Sequence, residues 1–468
     1  MRQWMVAAKK ADFYAIAEKF HVDPVVARII RNREVIGEKN IRIYLGGNLS
    51  DLSDPHQMKD MDRLVEILAQ KIRKQAHIRI IGDYDVDGVT SSHLFLTALR
   101  RVGAKVDVVI PHRIQDGYGL SLHLLQQAKE DGVDTILTCD NGIAAIDEIA
   151  WAKAQKMTVL VTDHHAVPFE EHEGRRTEKK SLADAVVNPH QQDCGYPYKE
   201  LCGAGVAWNV IRVLYENYDM DKREAEDLLD FVAMATVCDV MSLTGENRIL
   251  VKEGLKRIRH TKNIGLQALM QACNVQPENI SAYHFGYVLG PCVNATGRLD
   301  TARHALRLFE TGQETEAEEI ARDLVDLNQE RKELTLQGVE MAKKLCEEGG
   351  YENDPILVLF LPDVHESIAG LIAGRIREMY NRPVFVLTRG EEGVKGSGRS
   401  TENYSMYENM CGCAELFTKF GGHPMAAGLS LPEENVEKFR RKINENCPLT
   451  VEEVCPDIHI DMAMPVGY

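Results

Sequence analysis

The segment Gly82-Asp83-Tyr84-Asp85-Val86-Asp87-Gly88 sets three carboxylates at alternate positions in one tight turn. At that spacing carboxylates repel one another strongly unless something positive sits among them, and a divalent cation is the economical way to supply it. The pattern also resembles the first half of a calcium-binding loop, but Leu94 stands where that loop closes with a glutamate, and the flanks read as strand and helix. Two further clusters follow: Asp140-Asn141-Gly142 and Asp163-His164-His165. Taken singly, each has an ordinary alternative as a helix N-cap. Jointly they offer mixed carboxylate and imidazole donors without thiolate, a set that suits Mn2+ or Mg2+ and argues against a structural zinc. So many acidic ligands suggest two ions sharing a bridging oxygen.

The elements around these clusters explain how they could meet. From Ile78 the chain alternates short apolar runs with helix-length segments: IRII, GVTSSHLFLTALRR, KVDVVIP, SLHLLQQAKED, DTILTC, AAIDEIAWAKAQ and MTVLVT. Such alternation predicts βαβ units and a mostly parallel sheet, whose ligands bind outside the carboxyl ends of the strands. The three clusters each follow one of those runs. Helices are predicted over 203–219 and 223–237, with helical sequence continuing to about residue 275. A long helix with no proline is predicted over 314–348, read as a strut between domains because its apolar positions hold no heptad. A second α/β region follows, with ILVLFL, a helix over 367–380, PVFVLT, a glycine-rich turn and AAGLSL. The charge run at 171–180 reads as a solvated loop. The fold class expected is α/β, with two α/β domains flanking a metal cleft and joined by a long helix. The boundaries expected are a helical lead-in at 1–75, a parallel-sheet domain at 76–312, the connecting helix at 313–350 and a smaller second domain at 351–468.

Composition narrows the class. The 468 residues allow several domains, and 44% hydrophobic with 27% charged residues is ordinary globular usage. A formal net charge of −16 excludes a charge-driven nucleic-acid binder but not an enzyme in which metal ions and a local arginine cleft attract phosphate. No run approaches the ~18 apolar residues of a membrane span. The start MRQWMVAAKKADF lacks a secretory h-region, so the cytoplasm is the expected compartment and no membrane partner is expected. The 11 cysteines read as reduced, mostly buried thiols; the close pair Cys411 and Cys413 lacks the spacing of a zinc knuckle or redox dithiol.

The Asp-x-Asp turn, the Asp-Asn-Gly turn and the Asp163-His164-His165 triplet, in that order and context, resemble the Asp-His-His (DHH) phosphoesterase superfamily. Further segments, namely PHRIQDGYGL, CGAGVAW, ATVCDVMSL, PCVNATGRLD, GSGRS and FGGHPMAAGLSL, are similar to the RecJ family of single-strand-specific exonucleases, from about residue 4 to the end. The resemblance implies that Asp85, Asp87, Asp140, His164, His165 and Asp239 hold two divalent ions, Mn2+ or Mg2+, with Asp83 and Asp163 as supporting or occasional ligands. It also implies a catalytic part for His165, Asp163 and His423. Arg298, Ser397 and Arg399 would grip a terminal 5′-phosphate, and the turn Gly421-Gly422-His423 would approach the scissile phosphate. Arg113, Tyr118 and Asn141 would lie on the substrate side.

The activity so implied is stepwise 5′-to-3′ hydrolysis of single-stranded DNA to 5′-mononucleotides, in repair and recombination, by a monomer. The partners implied are single-stranded DNA, with room for a single-strand-binding protein and a helicase. Alternatives within the superfamily are a phosphodiesterase of dinucleotides, cyclic dinucleotides or short RNA, a non-catalytic replication scaffold and, more remotely, a pyrophosphatase. Two departures stand out. The chain stops at IDMAMPVGY, about where the family continues into an OB-fold, so a fragment of a longer chain is expected, with binding to long strands weakened. In LPDVHESIAGLIAGRI, Glu366-Ser367 replace the usual glycine turn, which leaves His365 a weak site candidate beside a plain role at a helix entry.

Overall fold

The structure is a computed structural model that describes residues 3–7, 9–113, 116–117, 119–172, 175–351, 354–390, 393–449, 457–464 and 467–468. The chain packs into two compact units: residues 35–328 form one, and residues 1–34 with 329–468 form the other.

The larger unit is built on a five-stranded, all-parallel sheet in the order Lys105–Val109, His77–Ile81, Thr135–Cys139, Thr158–Thr162, Ala185–Val187. Strand Thr135–Cys139 is buried along its whole length, and its two neighbours along all but their first residue. That is the pattern of a parallel sheet covered on both faces, and it is why these runs lack hydrophobic alternation. Register aligns the strand ends: Ile81 pairs with Thr138, and Cys139 pairs with Thr162. The turns that follow therefore leave the sheet side by side. At the opposite half, buried Arg79 ties the sheet edge by ion pairs to Asp107 at 2.7 Å and Asp131 at 2.8 Å. Helix Val86–Arg101 is almost wholly buried and packs against helices Gly203–Asn217 and Leu229–Cys238.

The smaller unit holds a five-stranded mixed sheet in the order Lys419–His423, Ala426–Leu431, Gly393–Arg399, Val384–Gly390, Leu357–Phe360. Only the last pair is parallel. Helix Ala369–Tyr380 packs on this sheet. Helix Glu314–Glu348 runs unbroken for 35 residues, as its proline-free sequence predicts.

Four local expectations are corrected. The lead-in is not wholly helical: Gln3–Val6 is a strand paired in parallel with Asp457–Ile460, a pairing so distant in sequence that it leaves no local signature. The helix predicted over 223–237 is split into Lys222–Glu226 and Leu229–Cys238, where the Ala225 carbonyl accepts the Trp208 indole N–H at 2.7 Å in addition to a tight backbone turn. The charge run at 171–180 is not a plain loop, since Phe169–His172 and Arg175–Glu178 form an antiparallel ribbon. The charged run carries no hydrophobic alternation, so the sequence does not announce the ribbon. The helix predicted over 367–380 starts at Ala369, after a single 3-10 turn at Glu366–Ile368. The cysteines among the described residues are free thiols, most of them buried. No helix among the described residues is long and apolar enough to cross a membrane.

Candidate metal centre

The three strand-end turns deliver their side chains to one place in the larger unit. Asp85 is the N-cap of helix Val86–Arg101, its Oδ1 accepting the Gly88 N–H at 3.0 Å, so the plain capping role is real for this residue. Asp87, the second residue of that helix, is buried and accepts the Gly203 and Ala204 N–H groups at 2.6 and 2.7 Å. One carboxylate thereby pins the positive end of helix Gly203–Asn217 to the centre. Gly203 permits that approach, because a Cβ there would lie 2.8 Å from the Asp140 Oδ1. Asp140 is buried and adopts left-handed backbone at φ 61°, a conformation uncommon outside glycine and costly enough to suggest that something requires it.

His164 stands at the hub. Its Nε2 lies 3.0 Å from Asp140 Oδ1, 3.6 Å from Asp239 Oδ2 and 3.7 Å from Asp87 Oδ2. Asp239, at the C-terminal end of helix Leu229–Cys238, is thus brought into the cluster from far along the chain. Three overlapping sets have donor atoms all within 4.8 Å of one another: Asp140, His164 and His165; Asp87, His164 and Asp239; Asp83, Asp85 and Asp140. Shared members make them adjacent positions rather than separate sites.

Asp163 is placed differently. Its two oxygens accept the N–H groups of Ile143 at 2.9 Å, His164 at 2.7 Å and His165 at 3.0 Å, and Oδ1 also meets His165 Nδ1 at 2.8 Å. With its lone pairs so committed, Asp163 orients the His165 ring, whose Nδ1 also lies 4.0 Å from Asp140 Oδ1. Burial opposes ionisation of Asp163, but the bonds from His165 and the backbone outweigh it and hold the carboxyl below its ordinary range.

Electrostatics test whether a cation fits. Burial first, and then neighbouring carboxylates, push Asp83 and Asp140 well above the ordinary carboxylate range, raise Asp85 and bring Asp239 to about 8. Burial depresses His164. For His165 burial acts downward too, but the Asp163 bond and surrounding carboxylates win and lift it to about 9. Asp83 Oδ1 is buried with no hydrogen-bond partner among the described residues. A pocket that crowds acids until they retain protons, and leaves a carboxylate oxygen unsatisfied, is one that divalent cations fit.

The remaining expected residues divide between the units. Arg113 lies 4.9 Å over the Tyr84 ring, beside the Asp83–Asp87 turn. Arg298 ends helix Gly290–Leu299, which also sends Asn294 Oδ1 to the Val86 N–H at 3.2 Å, and its charge acts on Tyr84. Tyr118 lies outside the described residues. Asn141 is buried, and its Nδ2 donates to the Ile81 carbonyl at 3.0 Å and the Cys139 carbonyl at 2.9 Å, zipping two strand ends together.

In the smaller unit, Ser397 and Arg399 lie over the first turn of helix Ala369–Tyr380. A Cβ on Gly370 would sit 2.9 Å from an Arg399 nitrogen and 3.3 Å from Ser397 Oγ. Hydroxyl, guanidinium and helix N-terminus thus converge, donor groups of the kind that suit an anion. Gly421, Gly422 and His423 belong to the edge strand, and sheet register sets Gly421, Gly428 and Ser397 in one cross-strand row and His423, Ala426 and Arg399 in another. His365 serves the helix entry, its Nδ1 accepting the Ser367 N–H.

Sequence reasoning missed Asn188. It follows the fourth strand of the row, Ala185–Val187, and donates to the His165 carbonyl at 2.9 Å. The signal was available: Asn188-Pro189-His190 is one more polar turn at a strand end.

With this geometry in hand, comparison with known proteins is direct. Residues 77–236 match the DHH family, N-terminal domain, and residues 353–447 match the DHHA1 domain. The single-stranded-DNA-specific exonuclease RecJ of Haemophilus influenzae is 36% identical over 440 residues, covering 90% of this chain and 74% of that protein. The chain belongs to the RecJ family. The RecJ of Bacillus subtilis is 34% identical over 97% of this chain, which spans 56% of that relative's length. Among solved structures, RecJ of Thermus thermophilus in complex with Mn2+ superposes with a TM-score of 0.81 at 28% identity, covering 98% of this chain and 64% of that one. An exonuclease RecJ bound to manganese gives a TM-score of 0.73 at 31% identity, over 85% of this chain and 96% of that one. The α/β architecture is that of RecJ.

Proposed function

We propose that this chain is a metal-dependent exonuclease that hydrolyses single-stranded DNA from the 5′ end to 5′-mononucleotides, acting as a cytoplasmic monomer in repair and recombination. The observation that carries the reading is the cluster of Asp83, Asp85, Asp87, Asp140, His164 and His165 from adjacent strand ends with Asp239 from a helix end, whose overlapping donor sets would suit two ions. The names of the RecJ relatives support the substrate, and single-strand-binding protein and a helicase are the proposed partners. The division of labour follows the expected domains, with the phosphoesterase residues at 76–312 and the phosphate-gripping residues at 351–468.

Each residue has a task that follows from its surroundings. Mn2+ or Mg2+ held by the cluster supplies a water of lowered pKa and neutralises charge on the phosphate. Asp163 fixes the orientation of the His165 ring through its bond to Nδ1. Ser397 and Arg399 bind the terminal phosphate, and Arg298 of the larger unit offers a guanidinium to the phosphates of the strand. His423, with the small Gly421 and Gly422 beside it, donates to the phosphoryl oxygens as charge builds on them.

The test is hydrolysis of a 5′-phosphorylated single strand, its duplex and a dinucleotide with Mn2+ or Mg2+, beside an Asp140→Ala variant. Mononucleotides released stepwise from the single strand alone, and lost in the variant, are expected. Hydrolysis of the dinucleotide only would assign a small-substrate phosphodiesterase, and no metal-dependent hydrolysis at all would assign a scaffold.

A further inference from the structure

Two large aromatic side chains of the larger unit lie open to solvent on a turn packed against the end of the helix that leads into Asp239. Tyr283 is 63% exposed and Tyr287 is 72% exposed, and their rings stack on each other at 5.1 Å between centroids with 25° between planes. They belong to a continuous helical stretch that opens with Ala282–His284, passes through a π-helical turn at Phe285–Leu289 and continues as Gly290–Leu299. The π turn has a cause in the sequence: Pro291 lacks the N–H that the Tyr287 carbonyl would accept in α register. Such turns recur at functional sites.

The turn is held against the end of the helix that presents Asp239. Cys238 Sγ donates to the Phe285 carbonyl at 3.3 Å, a Cβ on Gly290 would sit 2.3 Å from that sulfur, and one on Gly286 would meet Val237 Cγ1 at 3.5 Å. Phe285 faces inward and is fully buried, which leaves the two tyrosines to project from the opposite side. The residue after Asp239 is Val240, 87% exposed on left-handed backbone at φ 58°. An aromatic pair and an aliphatic side chain are thus presented to water from the two segments that meet at the end of the helix leading into Asp239.

We infer that Tyr283 and Tyr287 form a stacking platform for the nucleobases of the single strand whose backbone is cut at the metal centre. The inference rests on the proposed function. Bases and phosphates need different surfaces: around the centre the acids repel backbone phosphate except where cations screen them, whereas any base has a π-face that a tyrosine ring can take without reading sequence. Rings already parallel continue as a column onto which a base adds, which a paired strand with its bases stacked internally cannot do. The platform would therefore favour unpaired strands as well as bind them.

The experiment compares wild type, Tyr283→Ala/Tyr287→Ala and Tyr283→Phe/Tyr287→Phe, using single strands that carry 2-aminopurine at successive positions from the 5′ end. Wild type and the Phe pair are expected to quench the probe at adjacent positions. The Ala pair should leave it bright and raise KM for the strand about 10-fold, with the Phe pair restoring KM. Both tyrosines are exposed, so all three proteins are expected to fold with closely similar melting midpoints. Equal quenching and KM in wild type and the Ala pair would overturn the platform, as would failure of the Phe pair to restore them. A dimer in sedimentation that the Ala pair dissociates would assign the patch to a second copy instead. A wild type that hydrolyses no single strand would sink the proposed function, and the probe fluorescence would still report on stacking.

Discussion

Asp163 shows how one side chain can shape a centre without entering it. Its oxygens are spent on three backbone N–H groups and the His165 ring, and that ring is held at about 9 against the pull of burial. Asp163→Asn removes the charge but little volume. Histidine NMR should find His165 titrating well below 9 in the variant, and hydrolysis of the single strand should fall about 10- to 100-fold, the usual cost of losing a residue that orients a ligand. A second buried acid lies away from the centre. Asp230 is 3% exposed, accepts Thr261 Oγ1 at 2.6 Å and the Phe231 N–H at 2.8 Å, and burial lifts it to about 6 despite those bonds. A raised folded-state pKa means that the native chain holds a proton the unfolded chain has already released. The stabilising contribution is full below about 4 and is lost as pH rises through 6, by about 3 kcal/mol in total. Asp230→Asn keeps one acceptor oxygen for the Phe231 N–H, places an amide donor where the neutral acid carries its O–H beside the Thr261 hydroxyl, and cannot ionise. Its melting midpoint should equal that of wild type near pH 4 and exceed it increasingly up to pH 7; a constant difference across that range would refute the assignment.

Among the elements, helix Gly203–Asn217 does the most positioning, because its first two N–H groups rest on Asp87 while Gly203 itself lies against Asp140. Gly203→Ala should push the helix start off the centre and lower activity at least 10-fold. Gly205→Ala, two residues on, has only Leu201 side-chain carbons at 3.4 Å as its nearest neighbours and should be tolerated or stabilising by about 0.5 kcal/mol through helix propensity. Circular dichroism melts and the single-strand assay on both variants separate the two effects. The same helix marks how far the sequence could be read. The three polar turns were legible because each follows a short apolar run, and the parallel sheet turned that spacing into proximity. The pairing of Asp87 with Gly203 and Ala204 was not, since nothing local links residues so far apart. Asn141 shows a related limit: nothing in its local sequence announces that its amide ties the ends of two strands at Ile81 and Cys139. Asp239 carried no local signal of its own and was placed by resemblance, and the break after Glu226 depends on an indole from another helix.

At the scale of the molecule, the centre exists only when turns from three strands and two helix ends have come together, so an ion that binds it binds the folded larger unit. Linkage then requires Mn2+ to raise the melting midpoint of that unit, by about 2.7 kcal/mol of stability when free ion reaches 100 times its dissociation constant. Differential scanning fluorimetry over a Mn2+ titration, with Asp140→Ala as the silent control, checks this. The left-handed backbone at Asp140 has a consequence of another kind. A residue held at φ 61° amid crowded acids is a standing burden on the fold, and glycine there would lift both the steric cost and part of the repulsion. Without bound metal, Asp140→Gly should melt higher than wild type while losing the response to Mn2+. In hereditary terms the centre is a ratchet that slips one way: a lineage released from using it would be rewarded for the very substitutions that erase it, so an intact cluster records continued use.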